Sequence, residues 1–226
     1  EVRKYIKEKI GEEYLIPILG IYDKFEDIDF DNLPNQFVIK CTHDSGGIII
    51  CKDKNTFNKK EAKNKIKRLL KQNFYYLARE WPYKNVKPRI MIEKYMKEDG
   101  KEDLTDYKFM VFNGKVKCSF VCLNRTSKKG MNIDFYDREW KKMPFYRHYK
   151  NSNTILDKPK NYDLMIQISE KLAKGMPFVR VDLYEISGKI YFGELTLYPG
   201  AGLEEFNPEK WDEILGSWIK IDEGRK

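Results

Sequence analysis

At 226 residues, with a formal net charge of +8 and a pI near 9.0, the chain can bury the core of one large domain or two small ones, and its partners are expected to be anionic: nucleotides, nucleic acid, acidic glycans or a membrane surface. No apolar run reaches bilayer length and the charged start lacks a signal-peptide core, which predicts a soluble, cytoplasmic protein. Four cysteines and two histidines are too few for a disulfide framework or a structural zinc site, so Cys41, Cys51, Cys118 and Cys122 read as reduced core thiols.

Residues 1–10 place Val2, Tyr5, Ile6 and Lys9 at helical spacing and stop at Gly11, predicting a surface-packed helix. Pro17 and Gly20 break the apolar stretch 14–22, so a short bent strand fits better than a helix. The acidic patch Glu26, Asp27, Asp29 and Asp31 reads as a link, closed by the turn Leu33-Pro34-Asn35. Two apolar strands, 37–40 and 48–51, then flank the loop Cys41-Thr42-His43-Asp44-Ser45-Gly46-Gly47. Glycines let backbone N–H groups approach phosphate oxygens, and Lys40 at the strand end supplies a point charge. The order is not that of a P-loop, so an ordinary hairpin loop is an equal reading, with His43 either a ligand contact or solvated.

Residues 58–78 predict one basic amphipathic helix, capped by Asn58 or Thr56, with Ile66, Leu69, Leu70, Phe74 and Leu77 inward and a solvated lysine face. Residues 89–96 alternate as a strand in which Glu93 needs a partner, one candidate being the exocyclic amine of a bound base. Asn113-Gly114 between 106–112 and 115–123 is the strongest hairpin signal in the chain. It puts Lys108 on one face with Asp106 and Met110, as a surface lysine or a phosphate contact. The aromatic and cationic stretch 125–150, with Trp140, Phe145, Tyr146, Arg147, His148 and Tyr149, has no clean period and reads as an acceptor-binding or packed loop region.

A second amphipathic helix, 161–174, has Leu164, Ile168 and Leu172 inward and ends at Gly175. Residues 178–203 then form a hairpin about Ser187-Gly188, in which Val179, Val181 and Leu183 alternate with Arg180, Asp182 and Tyr184. Glu194 on the returning strand is expected to share the face of Arg180 and Asp182. Two carboxylates that close call for a positive partner; Mg²⁺, which takes one or two carboxylates plus nucleotide phosphates, is one answer, and a solvated Arg–Asp face is the plain alternative. The turn-rich 198–202 suits a backbone passing close to a ligand. Residues 208–218 end the chain's pattern with a short helix presenting Trp211, Ile214, Leu215 and Trp218.

Taken in order, FVIKCTHDSGG, RIMIEKYM, DYKFMVFNGK, VRVDLY and FGELTLYPGAG make the chain resemble the TupA-like ATP-grasp family, named for teichuronopeptide synthesis and linked to cell-surface (capsular) polysaccharides. The resemblance implies an α+β, ATP-grasp fold: two α+β subdomains with antiparallel sheets clasping ATP and Mg²⁺. It divides the chain into an N-terminal segment, 1–34, left from an abbreviated substrate domain, a first subdomain, 35–95, and a second, 96–226. It implies that Lys40 contacts phosphates, that the loop with His43, Ser45, Gly46 and Gly47 closes over them, and that Glu93, Lys94, Tyr95 and Met96 form the adenine hinge. Asp99 or Asp103 would take the ribose, Lys108 the phosphates, Asp182 and Glu194 the Mg²⁺, and Arg180 would stabilise oxyanionic intermediates. Thr196 stands where many ATP-grasp enzymes have a metal-binding Asn.

The implied activity is an ADP-forming carboxylate–amine ligase, joining a small-molecule or glycan carboxylate, such as a uronic acid of a polysaccharide or its precursor, to an amino acid or other amine. No nucleic-acid partner and no transmembrane segment are expected; peripheral membrane association and the oligomeric state stay open. A glycosyltransferase, whose metal motif could only be Asp27-Ile28-Asp29 or Asp29-Phe30-Asp31, and a non-catalytic nucleotide- or nucleic-acid-binding protein are the alternatives.

Overall fold

Strand alternation organises both halves of the molecule. The computed structural model describes residues 1–98, 100, 104–124 and 130–221, and the chain divides into two units, Ile16–Met96 and Glu1–Leu15 with Lys97–Lys226. The expected N-terminal segment 1–34 is therefore not a piece apart. Its first residues belong to the second of these units, and Phe25, Ile28, Phe30 and Leu33 lie in the core of the first.

The unit Ile16–Met96 is built on a four-stranded antiparallel sheet of β1 (Ile18–Tyr22), β2 (Phe37–Cys41), β3 (Ile49–Cys51) and β4 (Ile90–Lys94), in the order β1-β4-β2-β3. Phe37, Ile39, Ile90 and Ile92 point to one face and pack with Ala62, Ile66 and Leu69 of α1 (Lys59–Leu69). Period-2 geometry sends Val38, Lys40, Met91 and Glu93 to the other. The Asn58 side chain caps α1: its Oδ1 accepts from the Glu61 backbone N–H at 3.0 Å, and its Nδ2 donates to the Glu61 carboxylate at 3.3 Å.

The single helix predicted for 58–78 is two. Asn73 caps a new short helix, α2 (Phe74–Ala78), by accepting from Tyr75 N–H at 3.0 Å. A side chain able to hydrogen-bond nearby backbone competes with helix propagation, and after the break Leu77 is 71% exposed rather than inward.

The other unit contains a five-stranded antiparallel sheet, β5 (Asp106–Phe112), β6 (Lys115–Leu123), β7 (Asn132–Asp137), β9 (Phe178–Ile186) and β10 (Lys189–Thr196), in the order β10-β9-β5-β6-β7; β8 (Tyr146–Arg147) pairs with β11 (Phe206–Asn207). Both predicted hairpins form with two-residue turns that have left-handed φ at each position, 48° and 75° at Asn113-Gly114 and 51° and 78° at Ser187-Gly188. That geometry matches the strand twist.

One sheet face, with Phe109, Val111, Val179, Val181, Leu183, Ile190 and Phe192, is covered by α3 (Tyr162–Leu172) through Tyr162, Met165, Ile166 and Leu172, and by Ile6 of the N-terminal helix Val2–Lys9. Leu164, predicted inward, is exposed, and its neighbours Met165 and Ile166 face the core instead. Met110, Phe112, Cys118, Phe120, Ile133 and Phe135 occupy the opposite face with Phe145 and with Leu215 of α4 (Lys210–Ser217). β7 explains why 125–150 has no readable period: four consecutive residues, Ile133 to Tyr136, are buried, and a strand buried on both faces loses its alternation. All four cysteines are free, as expected of core thiols, and burial pushes Cys118 up to about 12. No described helix is long and apolar enough to cross a membrane.

Candidate active site

The site in the five-stranded sheet is assembled from three adjacent strands. Register places Lys108 of β5 opposite Asp182 of β9, and Asp182 opposite Glu194 of β10. Arg180 donates twice to the same carboxylate, from Nε to Oδ1 at 2.7 Å and from Nη2 to Oδ2 at 2.8 Å. Lys108 Nζ also donates to Asp182 Oδ2 and reaches Asp106 Oδ2 at 2.7 Å. Arg180 Nη2 lies 3.6 Å from Glu194 Oε2, while Thr196 donates to Glu194 Oε1 at 2.9 Å.

Asp106, Lys108 and Asp182 are buried, whereas the Glu194 side chain is 47% exposed. Burial alone would lower the pKa of the Lys108 ammonium, but Asp182 and then Asp106 outweigh it and hold it above the ordinary value. The same balance, burial against Asp182, leaves the Arg180 guanidinium raised. Both cations are fixed in charge.

Simple alternation does not deliver Glu194 to this face. It has the parity of Ile190 and Phe192, which are buried in the core under α3. A bulge between Phe192 and Glu194 inserts Gly193 into β10 and reverses the parity, so Leu195 packs on the core and Glu194 and Thr196 turn outward with Asp182 and Arg180. Glycine fits closely there: a Cβ would lie 2.9 Å from the Tyr184 ring and 3.1 Å from the Asp182 carbonyl oxygen, so a larger residue would have to displace a neighbour.

The counter-charge that the paired carboxylates demand is thus partly internal, supplied by Lys108 and Arg180. With three carboxylates against two cations, this group of five retains one negative charge. The donor set suits Mg²⁺. Its oxygens are hard, two carboxylates sit at directly paired strand positions, and no group of three metal-ligating side chains exists among the described residues. Nucleotide phosphate and water would have to complete an octahedral shell, the usual mode for this ion.

Two further members were not singled out from sequence. Asp106 was placed on the Lys108 face but given no role; its i, i+2 spacing was the available signal. Arg147 lies within the aperiodic stretch. It is buried, stands 5.0 Å from the Phe120 ring centroid that Arg180 approaches at 6.0 Å, and pairs with Glu204 at 2.7 Å. Burial and, secondarily, the like charge of Arg180 lower its pKa despite Glu204.

In the unit Ile16–Met96, Lys40 and Glu93 share a sheet face and form an ion pair at 2.6 Å. Glu93 thus has Lys40 as an ion-pair partner within its own sheet. His43 is neither solvated nor a loop-tip donor: it is buried, and its Nε2–H donates to the Leu69 carbonyl at the end of α1 at 3.0 Å. Ser45 and Gly46 are exposed, with Gly46 at φ 83°, and Gly47 is buried where a Cβ would fall 2.0 Å from an Asp44 carboxylate oxygen. Lys94 is exposed, and Tyr95 and Met96 are half-buried. Asp99 and Asp103 lie outside the described residues.

The acidic patch is used structurally. Asp29 accepts from Asp31 N–H, Asn32 N–H and Asn32 Nδ2, and Glu26 binds Lys63 and Lys67.

Among solved structures, the D-alanine–D-alanine ligase from Bacillus anthracis in complex with ATP aligns over 96% of this chain and 62% of its own, at 18% identity and TM-score 0.51. The corresponding ligase from Helicobacter pylori aligns over 88% and 53% at 14% identity and TM-score 0.47. A RimK domain ATP-grasp protein from Sphaerobacter thermophilus DSM 20745 aligns over 96% and 60% at 9% identity and TM-score 0.46. The chain spans about three fifths of the Bacillus anthracis ligase's length, and the likeness is one of fold. No curated protein matches the chain. The family model for TupA-like ATPgrasp proteins matches residues 1–220, and the chain belongs to that family.

Proposed function

We propose that this protein is an ATP-dependent carboxylate–amine ligase. The observation that carries the proposal is the buried Lys108–Asp182–Arg180 group beside a half-exposed Glu194, in a chain of an ATP-grasp family. Asp182 and Glu194, with Thr196 hydrogen-bonded to Glu194, would hold Mg²⁺, which when bound neutralises phosphate charge. Lys108 and Arg180 present fixed positive charge where oxyanions develop, in a place shielded from water. Lys40, with Ser45, Gly46 and Gly47, is proposed for the nucleotide phosphates, the segment from Glu93 to Met96 for adenine, and Asp99 or Asp103 for ribose. His43 is assigned to holding the loop against α1.

A substrate carboxylate oxygen attacks the γ-phosphorus of ATP, and the bond to the ADP oxygen breaks. The resulting acyl phosphate is attacked at carbon by an amine, which loses a proton as phosphate leaves with the C–O bonding pair. Arg180 stabilises the tetrahedral oxyanion of the second step. The substrate is proposed to be a uronic acid of a polysaccharide or its precursor, joined to an amino acid or another amine, consistent with the +8 charge.

The test is ADP release measured across uronic acids and nucleotide-linked uronates, each with a panel of amino acids. ADP formation that requires both an acid and an amine, with stoichiometric amide, supports the ligase. Release of a nucleoside diphosphate from a sugar nucleotide, with no ATP consumed, overturns it.

A further inference from the structure

Residues 74–84, which the proposed chemistry leaves unused, form an exposed ladder of rings and cations. α2 ends at Arg79, whose left-handed backbone (φ 58°) reverses the chain into a 3-10 turn, Trp81–Tyr83. This aligns three rings: Tyr75 lies 5.4 Å from Tyr76 and 5.9 Å from Trp81, centroid to centroid, at interplanar angles of 68° and 88°. Cations fill the intervals. The Arg79 guanidinium carbon is 5.7 Å from the Tyr75 ring and 5.9 Å from the Tyr76 ring, and Lys84 Nζ is 5.4 Å from Tyr75 and 4.2 Å from Trp81.

Tyr76 is 65% and Trp81 59% exposed. Lys87 and Arg89 nearby are both committed to Asp23, whereas among the described residues no carboxylate lies within ion-pair distance of Arg79 or Lys84. Exposed Tyr and Trp interleaved with Arg have the composition of a recognition surface, and Arg79 and Lys84 against Glu80 leave the segment a net positive charge, which suits an anionic partner.

We propose that this ladder is a binding site for an acidic saccharide, a chain of uronate units. A uronate ring carries its carboxylate and its apolar C–H face side by side on one small ring. A receptor for it therefore needs a cation next to an aromatic face, as Lys84 is to Trp81 and Arg79 to Tyr76. The polarised C–H bonds are drawn to the negative face of the aromatic ring, and the carboxylate to the cation. A lipid separates these features, its charged headgroup and apolar chain being layered along the membrane normal, and cations and rings that alternate along the surface do not match that arrangement. Single-stranded nucleic acid also pairs cations with stacking rings, but spreads them over a whole nucleotide rather than one ring, and oligo-dT is therefore the competitor that the test must separate. The site would hold the glycan arm of the proposed reaction, and in that respect rests on that reading.

Trigalacturonate is titrated calorimetrically into the full chain without ATP, with maltotriose as the neutral control and oligo-dT and phosphatidylglycerol vesicles as competing polyanions. Trigalacturonate is expected to bind while maltotriose does not. Affinity should fall at least about tenfold in Trp81→Ala and in Arg79→Gln/Lys84→Gln, with the far-UV spectrum and melting of both variants unchanged. Absence of trigalacturonate binding, binding indifferent to both variants, equal binding of maltotriose, or oligo-dT or vesicles binding through these residues in its stead overturns the proposal. The two readings fail separately. Variant-sensitive binding by a chain that consumes no ATP removes the ligase alone, whereas amide formation with no trigalacturonate binding removes the ladder alone.

Discussion

Asp182 is a buried carboxylate that faces two cations, and its response to mutation should differ from that of Glu194 a strand away. In Asp182→Asn, Lys108 and Arg180 keep their charges but lose the anion they share, and such a loss in a buried ion pair costs about 3 kcal/mol or more. Urea unfolding should show that loss, together with the disappearance of ATP-dependent turnover. Glu194→Gln, at a half-exposed side chain, should stay within about 0.5 kcal/mol of the parent and still lose turnover. Full activity in both variants would remove the metal assignment. The residue types of this site were legible in sequence because Arg180, Asp182 and Lys108 obey strand alternation. His43 and Glu93 were not: a histidine in a Gly-rich loop looks solvated until α1 brings the Leu69 carbonyl to it, and the Lys40–Glu93 pair joins residues 53 positions apart.

Among elements, β10 shows how one extra residue redirects a side chain. Gly193→Ala should cost about 1 to 3 kcal/mol, the range for an atom forced into packed space, because the Asp182 carbonyl oxygen 3.1 Å from the new Cβ belongs to β9, which is held by β10 on one side and β5 on the other. It should also lower turnover by displacing Glu194, so denaturant titration and ADP release are both read.

A second device is Glu170 on α3, which accepts from Val116 N–H at 3.2 Å and from Arg138 Nη1 at 2.6 Å. Burial raises its pKa, but Arg138, Val116 N–H and Lys115 more than reverse this and leave it below the ordinary glutamate value. A depressed folded pKa means that the carboxylate's stabilisation is present above the unfolded value and is lost as pH falls through the folded one. Glu170→Gln should therefore destabilise by about 1 kcal/mol at pH 7, and the gap from the parent should close progressively in melts taken as the pH falls below the ordinary glutamate range.

For the whole molecule, ATP with Mg²⁺ at a hundredfold excess over Kd should add about 2.7 kcal/mol to the stability of the nucleotide-binding state. That raises the melting midpoint by several degrees, and the rise should vanish with EDTA or in Glu194→Gln. The resemblance of five motifs carried the ATP-grasp family, and the sequence by itself determined the local facts: both hairpins, most helix and strand positions and the unpaired cysteines. These depend on turn residues and on hydrophobic period, which neighbours along the chain dictate. Only tertiary structure decided that Gly193 turns Glu194 outward, that Arg147 joins the charged face, and that 58–78 is broken so that Tyr76 and Trp81 stand exposed. Each of these outcomes turns on a backbone irregularity or on a partner from a distant strand, and neither leaves a mark in the spacing of residue types.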